Sequence, residues 1–476
     1  MAVDARFVDW KADEEAAEAL VSVLGRLYRS HGVVVTLFGT SLVQKSPVEL
    51  VQAHRRGHVR KGSDLAPAVS LAALTALLGE QLAPVELDLG RLLAAWEAEG
   101  SPADVGAWTV ARCAGLARHT GAPREPVDVV LYGFGRIGRL LARLLIQKSG
   151  GGDKYRLRAI VVRKQADDDL ERRANLFRRD SVHGPFKGSV RVLHDEGALE
   201  INGERVHVIQ ATGPDQIDYT AYGIRDAVII DNTGAWRERE KLGKHLLSPG
   251  AGKVILTAPG KGDIPNIVYG VNQAMIDPAE RILSAASCTT NAIVPVLKAI
   301  DDAVGVRQGH IETVHAYTND QNLIDNYHKK TRRGRGAALN LVITETGAAS
   351  AVGKALPHLK GRLTGSAIRV PVPNVSLAIL KLNVDRPIER DALNDLLFEA
   401  ATSGPLQAQI GWTAMVDTVS SDLVGDTHGG VVDAEATQVL GDQIVLYVWY
   451  DNEYGYSCQV MRMLEHVAGV TRPVFP

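Results

Sequence analysis

Three cysteines in 476 residues, Cys113, Cys288 and Cys458, are too few, too far apart and odd in number to build a disulfide framework. That usage fits a reducing compartment. A net charge of −2 supplies no bulk drive toward nucleic acid or an anionic membrane. No strongly apolar, uncharged run approaches the about 20 residues that span a bilayer. The start, Met1-Ala-Val-Asp-Ala-Arg6, has no basic segment leading into an apolar core. These absences predict a cytoplasmic protein with neither a membrane nor a nucleic-acid partner, and no metal is expected. What remains is an ordinary globular composition, 45% apolar and 23% charged, on a chain long enough for two or three domains.

Residues 1–125 read as mainly helical. Ala12 to Tyr28 carries Ala16, Leu20, Val23, Leu24 and Leu27 at helical spacing. Val33 to Phe38 is a short β-like run that ends at Gly39. Ser46-Pro47 marks a helix start that runs to about His54. Leu65–Leu78, Leu87–Trp96 and Val105–Ala117 are further helical stretches. His54 to Lys61 is basic and reads as a solvated surface segment; contact with a phosphate-bearing partner or a neighbouring subunit is the other reading. No nucleophile–base spacing, glycine-rich loop or metal-ligand cluster occurs here. Gly121 to Pro126 reads as the linker that closes the region.

Beyond it, the strand-like Val127–Tyr132 runs into Gly133-Phe134-Gly135-Arg136-Ile137-Gly138, and Arg139–Gln147 follows as a helix. Between a strand and a helix each glycine has a job: the tight turn, close backbone approach to a pyrophosphate, and helix–strand packing. The next strand, Leu157–Val162, ends in Arg163-Lys164, with no carboxylate before Asp167. An acidic residue there would hold a ribose 2′-hydroxyl, whereas Arg163 or Lys164 could pair with a 2′-phosphate; that both simply point to solvent is the competing reading. The cofactor is therefore NAD or NADP. Two more strands, Ala227–Asp231 and Lys253–Thr257, bring Thr233, Gly234 and Thr257 to the carboxyl ends where ligands bind in open α/β sheets.

In Ser284-Ala-Ala-Ser-Cys288-Thr-Thr-Asn291 a single thiol stands between hydroxyls, just ahead of the apolar helical run Ile293–Ile300. A helix N-terminus favours the thiolate, and its free N–H groups can hold an anion. The small buried cysteine of a polar turn is the competing reading. His315 lies on the strand-like Ile311–Tyr317, 27 positions after Cys288, and its imidazole could take the thiol proton.

The glycine loop, Asp180-Ser-Val-His-Gly184, Ala286-Ser-Cys-Thr-Thr-Asn291, Thr313-Val-His-Ala316, Thr346-Gly-Ala-Ala349, Ile368-Arg-Val-Pro371 and Trp449-Tyr-Asp-Asn-Glu-Tyr-Gly-Tyr-Ser457 occur in that order. Over about residues 126–476 the chain thereby resembles phosphorylating glyceraldehyde-3-phosphate dehydrogenase, in its long bacterial form with an N-terminal helical extension. The resemblance implies Cys288 as nucleophile and His315 as its base. It implies Ser287, Thr289, Thr346 and Gly347 as the site of attacking inorganic phosphate, and Thr318 with Arg369 as the site of the substrate phosphate. Gly133, Gly135, Arg136, Ile137, Gly138, Arg163, Thr233, Gly234 and Thr257 are expected at the cofactor. Asn452 orients the nicotinamide amide, with Tyr456 near the ring. Departures are Ala292 where a second Cys is frequent, Tyr132 for Asn, Asn232 for Cys, and the missing ribose carboxylate.

The expected fold class is α/β. A helical extension covers 1–125, a Rossmann-type doubly wound NAD(P) domain 126–286, and an α+β catalytic domain with a mixed or antiparallel sheet 287–451; the segment 452–476, with a helix from about Glu453 to Val467, packs back on the dinucleotide domain. The reaction implied is oxidation of glyceraldehyde 3-phosphate to an acyl phosphate through a cysteine thioester, or its reverse. Erythrose-4-phosphate oxidation ended by water, or a non-catalytic regulatory role, are the alternatives. By resemblance the chain forms homotetramers, with the basic loop Lys329–Arg335 near cofactor and subunit contacts.

Overall fold

The computed structural model describes residues 5–61, 65–116, 125–149 and 154–476, with side chains left out at Ala5 and 56–61. The chain start, most of the expected linker 121–126 and most of the Gly-rich connection 149–152 lie outside the described residues. Two compact units result: Met1–Pro126, Ser149–Lys154 and Val470–Pro476 in the first, Val127–Lys148 and Tyr155–Gly469 in the second.

The first unit contains α1 (Ala5–His31), β1 (Val34–Leu37), β2 (Thr40–Ser41), α2 (Pro47–Lys61), α3 (Pro67–Leu77), β3 (Glu86–Asp88), α4 (Leu89–Ala98) and α5 (Val105–Cys113). The apolar stripe of α1 is buried as its spacing predicts, with Leu20, Leu24 and Leu27 packed beside Val35, Leu74 and Leu87. At the start of α2, Ser46 N–H donates to Glu49 Oε2 (2.8 Å) and Glu49 N–H to Ser46 Oγ (3.3 Å), a capping box. The mainly helical expectation missed a four-stranded sheet. Its strands are too short for a period of two to register, and one comes from the far end of the chain. Val474–Phe475 pairs in parallel with β3, Glu86 N–H donates to Pro473 O (2.9 Å), and Phe475 packs on the core of this unit. His54 does not share a solvated surface. It is buried between α2 and α3, with Nδ1 2.8 Å from Leu50 O and Nε2 2.8 Å from Ser70 Oγ. The side chains of Arg56 to Lys61 lie outside the described residues.

The second unit opens with β4 (Val127–Tyr132), α6 (Arg136–Lys148), β5 (Tyr155–Val162), α7 (Asp169–Arg178), β6 (Val190–Leu193), β7 (Ala198–Ile201), β8 (Glu204–Gln210), β9 (Ala227–Asp231), α8 (Arg239–Gly243), β10 (Ala251–Leu256) and β11 (Ile282–Ser284). They build one sheet in the order β11-β10-β9-β4-β5-β8-β7-β6. Strands β11 to β8 are parallel, and β7 and β6 add an antiparallel hairpin. This is a doubly wound sheet whose strand order reverses between β4 and β9, the place where such sheets bind dinucleotides.

The chain continues through α9 (Cys288–Val304), β12 (Val306–Ala316), β13 (Val342–Thr344), α10 (Ala348–Ala355), β14 (Leu363–Val370), β15 (Ser376–Val384), α11 (Arg390–Thr402), β16 (Ile410–Thr413), β17 (Gly430–Asp433), β18 (Gln438–Leu440), β19 (Gln443–Tyr450) and α12 (Tyr454–Val467). The second sheet runs β13-β14-β12-β15-β19-β17-β16 and mixes parallel with antiparallel pairs. α9 lies on it and fully buries Ile293, Val296, Leu297 and Ile300, each worth roughly 1.5–3 kcal/mol. α12 packs against α6 and α9. The tail beyond it parts from the expected course, because Val470–Pro476 groups with the first unit, where it completes the edge of β3.

Candidate active site

Cys288 is the first residue of α9. Ser287 caps the helix, accepting from Thr290 N–H at 3.1 Å, and its Oγ lies 2.7 Å from Thr290 Oγ1. The bend from β11 into α9 puts Ala286 at φ +55°, rare for a residue with a Cβ. Two hydrogen bonds hold it: Ala286 N–H donates to Ser284 Oγ (3.0 Å), and Tyr456 Oη donates to Ala286 O (3.0 Å). Tyr456 thus ties α12 to the loop that precedes Cys288. Asn291 Nδ2 adds bonds to Ala285 O (2.8 Å) and Ser287 O (2.9 Å).

His315, near the end of β12, brings Nε2 to 3.6 Å from Cys288 Sγ. Its Nδ1 is 2.7 Å from Ala316 O, and a carbonyl only accepts, so Nδ1 carries the proton and Nε2 is left as the base. Arg369 pairs in register with His315 across β12 and β14. Its Nη1 donates to Ala316 O (3.0 Å) and Thr318 Oγ1 (3.3 Å), and the 3.2 Å approach to the protonated Nδ1 is a contact of charge rather than a bond. Arg369 Nε is buried without a partner among the described residues, a donor left over inside the site.

Burial sets the protonation states. It pushes the Cys288 thiol up; the Arg369 charge and N–H donors at the start of α9 pull it down without prevailing. Burial thus works against the thiolate that the helix terminus favours. Burial, with Arg369 assisting, lowers His315 to about 3, so its imidazole is neutral. As a residue Cys288 is half-buried.

The expected phosphate residues fall into two groups. Thr318 and Arg369 are in contact. Ser287 and Thr289 open α9, while Thr346 and Gly347 open α10, which packs on α9. The Thr289 hydroxyl turns inward and lies 3.0 Å from Tyr450 Oη, which also lies 2.6 Å from Thr313 Oγ1. Sequence reasoning missed Tyr450, whose ring stands edge-on to His315 at 5.9 Å. It also missed Arg333, seen only as part of a basic loop. Arg333 is buried against Asp320 and Thr344 Oγ1 (2.9 Å), and its charge reaches both Arg369 and His315.

At the switch point, Gly133 adopts φ +103°, and a Cβ on Gly138 would sit 2.3 Å from Gly133 O. A Cβ on Gly135 would meet nothing within 4 Å, which leaves open space above the start of α6. Such a cradle fits a diphosphate on the N–H groups of Arg136, Ile137 and Gly138. The Arg136 guanidinium is not free for it: it is engaged by Glu453 and by Asp180 (3.3 Å), and His183 Nε2 joins Glu453 at 3.1 Å. From β9, Thr233 donates through N–H (2.8 Å) and Oγ1 (2.7 Å) to Asp231 Oδ1, with Gly234 following at φ +65°. Thr257 bonds Asp231 O through N–H (3.0 Å) and Oγ1 (3.1 Å). Asn232, a departure in the sequence, donates to Gly133 O (3.4 Å) and supports the loop. Asn452 is buried, its Oδ1 accepting from Ser376 Oγ at 2.9 Å, while Ser376 Oγ accepts from Ala316 N–H at 3.0 Å. Ser376 thereby joins the strand of His315 to the side-chain amide of Asn452.

Two family models match this unit: "Glyceraldehyde 3-phosphate dehydrogenase, NAD binding domain" over residues 127–239, and "Glyceraldehyde 3-phosphate dehydrogenase, C-terminal domain" over residues 287–452. A glyceraldehyde-3-phosphate dehydrogenase-like protein of Pseudomonas aeruginosa (strain UCBPP-PA14) is 52% identical over 460 residues, covering 96% of this chain and 100% of that protein. A glyceraldehyde-3-phosphate dehydrogenase of P. aeruginosa strain PAO1 is 39% identical over 70% of this chain and 96% of its own length. One from Streptococcus pyogenes is 38% identical over 73% of this chain and 99% of its own.

Proposed function

The chain belongs to the glyceraldehyde-3-phosphate dehydrogenase family, with NAD(P) as cofactor, and on that premise we propose that it oxidises glyceraldehyde 3-phosphate to an acyl phosphate through a thioester on Cys288. The observation that carries this reading is the thiol–imidazole pair at 3.6 Å with a guanidinium fixed beside it.

In this mechanism Thr318 and Arg369 hold the substrate phosphate, for which a planar guanidinium and a hydroxyl are suited donors. The unprotonated His315 Nε2 takes the Cys288 proton, and the thiolate sulfur bonds the aldehyde carbon. The Cys288 N–H and the imidazolium stabilise the oxyanion, which is protonated to a thiohemiacetal. His315 then takes the hydroxyl proton as the carbon is oxidised to the thioester. When bound, the nicotinamide cofactor supplies the hydride acceptor. The glycine-loop amides, Thr233, Gly234, Thr257, Asn452 and Tyr456 hold and orient it. Inorganic phosphate at Ser287, Thr289, Thr346 and Gly347 attacks the thioester carbonyl, the C–S bond breaks, and the acyl phosphate leaves.

The test is reduced-nicotinamide absorbance with glyceraldehyde 3-phosphate, with and without inorganic phosphate. Phosphate-dependent turnover that vanishes in Cys288→Ser, while calorimetry still registers cofactor binding, is the expected result. Turnover without phosphate, or with erythrose 4-phosphate alone, would favour the hydrolytic reaction. A fully active Cys288→Ser variant would remove the nucleophile from Cys288.

A further inference from the structure

We infer that Arg163 selects a 2′-phosphorylated cofactor, so that this chain takes NADP in preference to NAD; the inference rests on the dinucleotide reading of the glycine loop. Strand β5 runs beside that loop. Tyr132 pairs with Val161, Gly133 N–H donates to Val161 O (2.9 Å), and Arg163 comes two positions later at the exposed tip. The adenosine ribose of a dinucleotide whose diphosphate sits on α6 lies at this tip.

Every carboxylate in the turn that follows is already matched to a cation. Asp167 pairs with Lys164 (3.1 Å), Asp168 with Arg172 (2.8 Å), and buried Asp169 with Arg173 (2.7 Å). A ribose 2′-hydroxyl would have to share each of them with that cation. Arg163 is different. Its carbonyl accepts from Arg173 Nη2 (3.0 Å), which fixes its backbone, while its guanidinium has no ion-pair or hydrogen-bond partner among the described residues. Its charge reaches the Tyr132 hydroxyl at the end of β4, where burial and Asp231 act more strongly. An unpaired guanidinium on a fixed backbone beside the ribose position, with each acid of the following turn facing a cation, favours a dianionic phosphate over a neutral hydroxyl.

The experiment is calorimetry on the full chain with NADP and NAD, repeated with 2′,5′-ADP and 5′-ADP. In each pair the 2′-phosphorylated ligand is expected to bind about tenfold or more tightly. The preference should weaken as salt is raised. Arg163→Ala, at an exposed position, should collapse it toward equality. Lys164→Ala, whose charge Asp167 already balances, should retain it. Equal or tighter binding of NAD by the unaltered chain, or an unchanged preference in Arg163→Ala, overturns the inference. Binding of neither dinucleotide overturns the glycine-loop reading with it, and so separates the two failures.

Discussion

Cys288 and His315 form a neutral pair because burial disfavours charge on both. For the cofactor-free protein this gives a signed expectation. Alkylation of Cys288 by iodoacetamide should keep rising with pH beyond the ordinary thiol range of about 8.5. Arg369→Ala removes the largest influence pulling the thiol down, so its profile should move further up. A rate already flat at neutral pH would show a resting thiolate and contradict the assigned protonation. His315 carries a second consequence. Its folded-state pKa of about 3 lies below the ordinary value of about 6.5, so as the pH falls through that window the unfolded chain takes up the proton first. Stability therefore drops from about pH 6.5 toward 3, and buried His54, lowered by desolvation, acts in the same direction.

Among the elements, α12 is occupied at both ends. Its start lies beside Asn452 and Glu453 and carries Tyr456, while the tail that follows it ends as a strand on β3. Removing residues 470–476 strips the partner from the Glu86 N–H and takes Phe475 from the core of the first unit. Hydrogen exchange should then quicken in Glu86–Asp88; unchanged protection there would mean that the pairing contributes nothing to that unit. This tail is also where sequence reading failed at the scale of elements. A two-residue strand has no periodicity, and its partner lies almost the whole chain away.

For the whole molecule, assembly is the open consequence. Leu323, Ile324, Tyr327, Leu339, Leu341 and Ile343 are each more than 60% exposed within one segment. We propose that this apolar stretch is an interaction site. Together with the family resemblance this supports a homotetramer in which the segment is covered by another copy. Sedimentation velocity should find a species well above monomer mass, and Ile324→Asp should shift it downward. A monomer at the concentration of the activity assay would refute that assembly. No helix among the described residues is long and apolar enough to cross a membrane. The relative matched over 96% of this chain shows that the first unit is not peculiar to it.

By itself the sequence determined the features that depend on neighbours along the chain. The glycine loop between β4 and α6, the hydroxyl-flanked thiol at the head of α9 and the apolar stripe of α1 are local patterns, because turn geometry, helix caps and burial periodicity act over a few residues. Only the tertiary structure decided what depends on groups brought together from a distance. It turned Arg136 toward Asp180 and Glu453, set Tyr450 against Thr289 and Thr313, tied Asn452 to Ser376, and left the Arg163 guanidinium without a partner among the described residues while its neighbours paired. It also set burial against the pull of the helix terminus on the thiol. A helix terminus can be read from the sequence, but the desolvation that opposes it comes from side chains converging from α9, β12, β14 and β19.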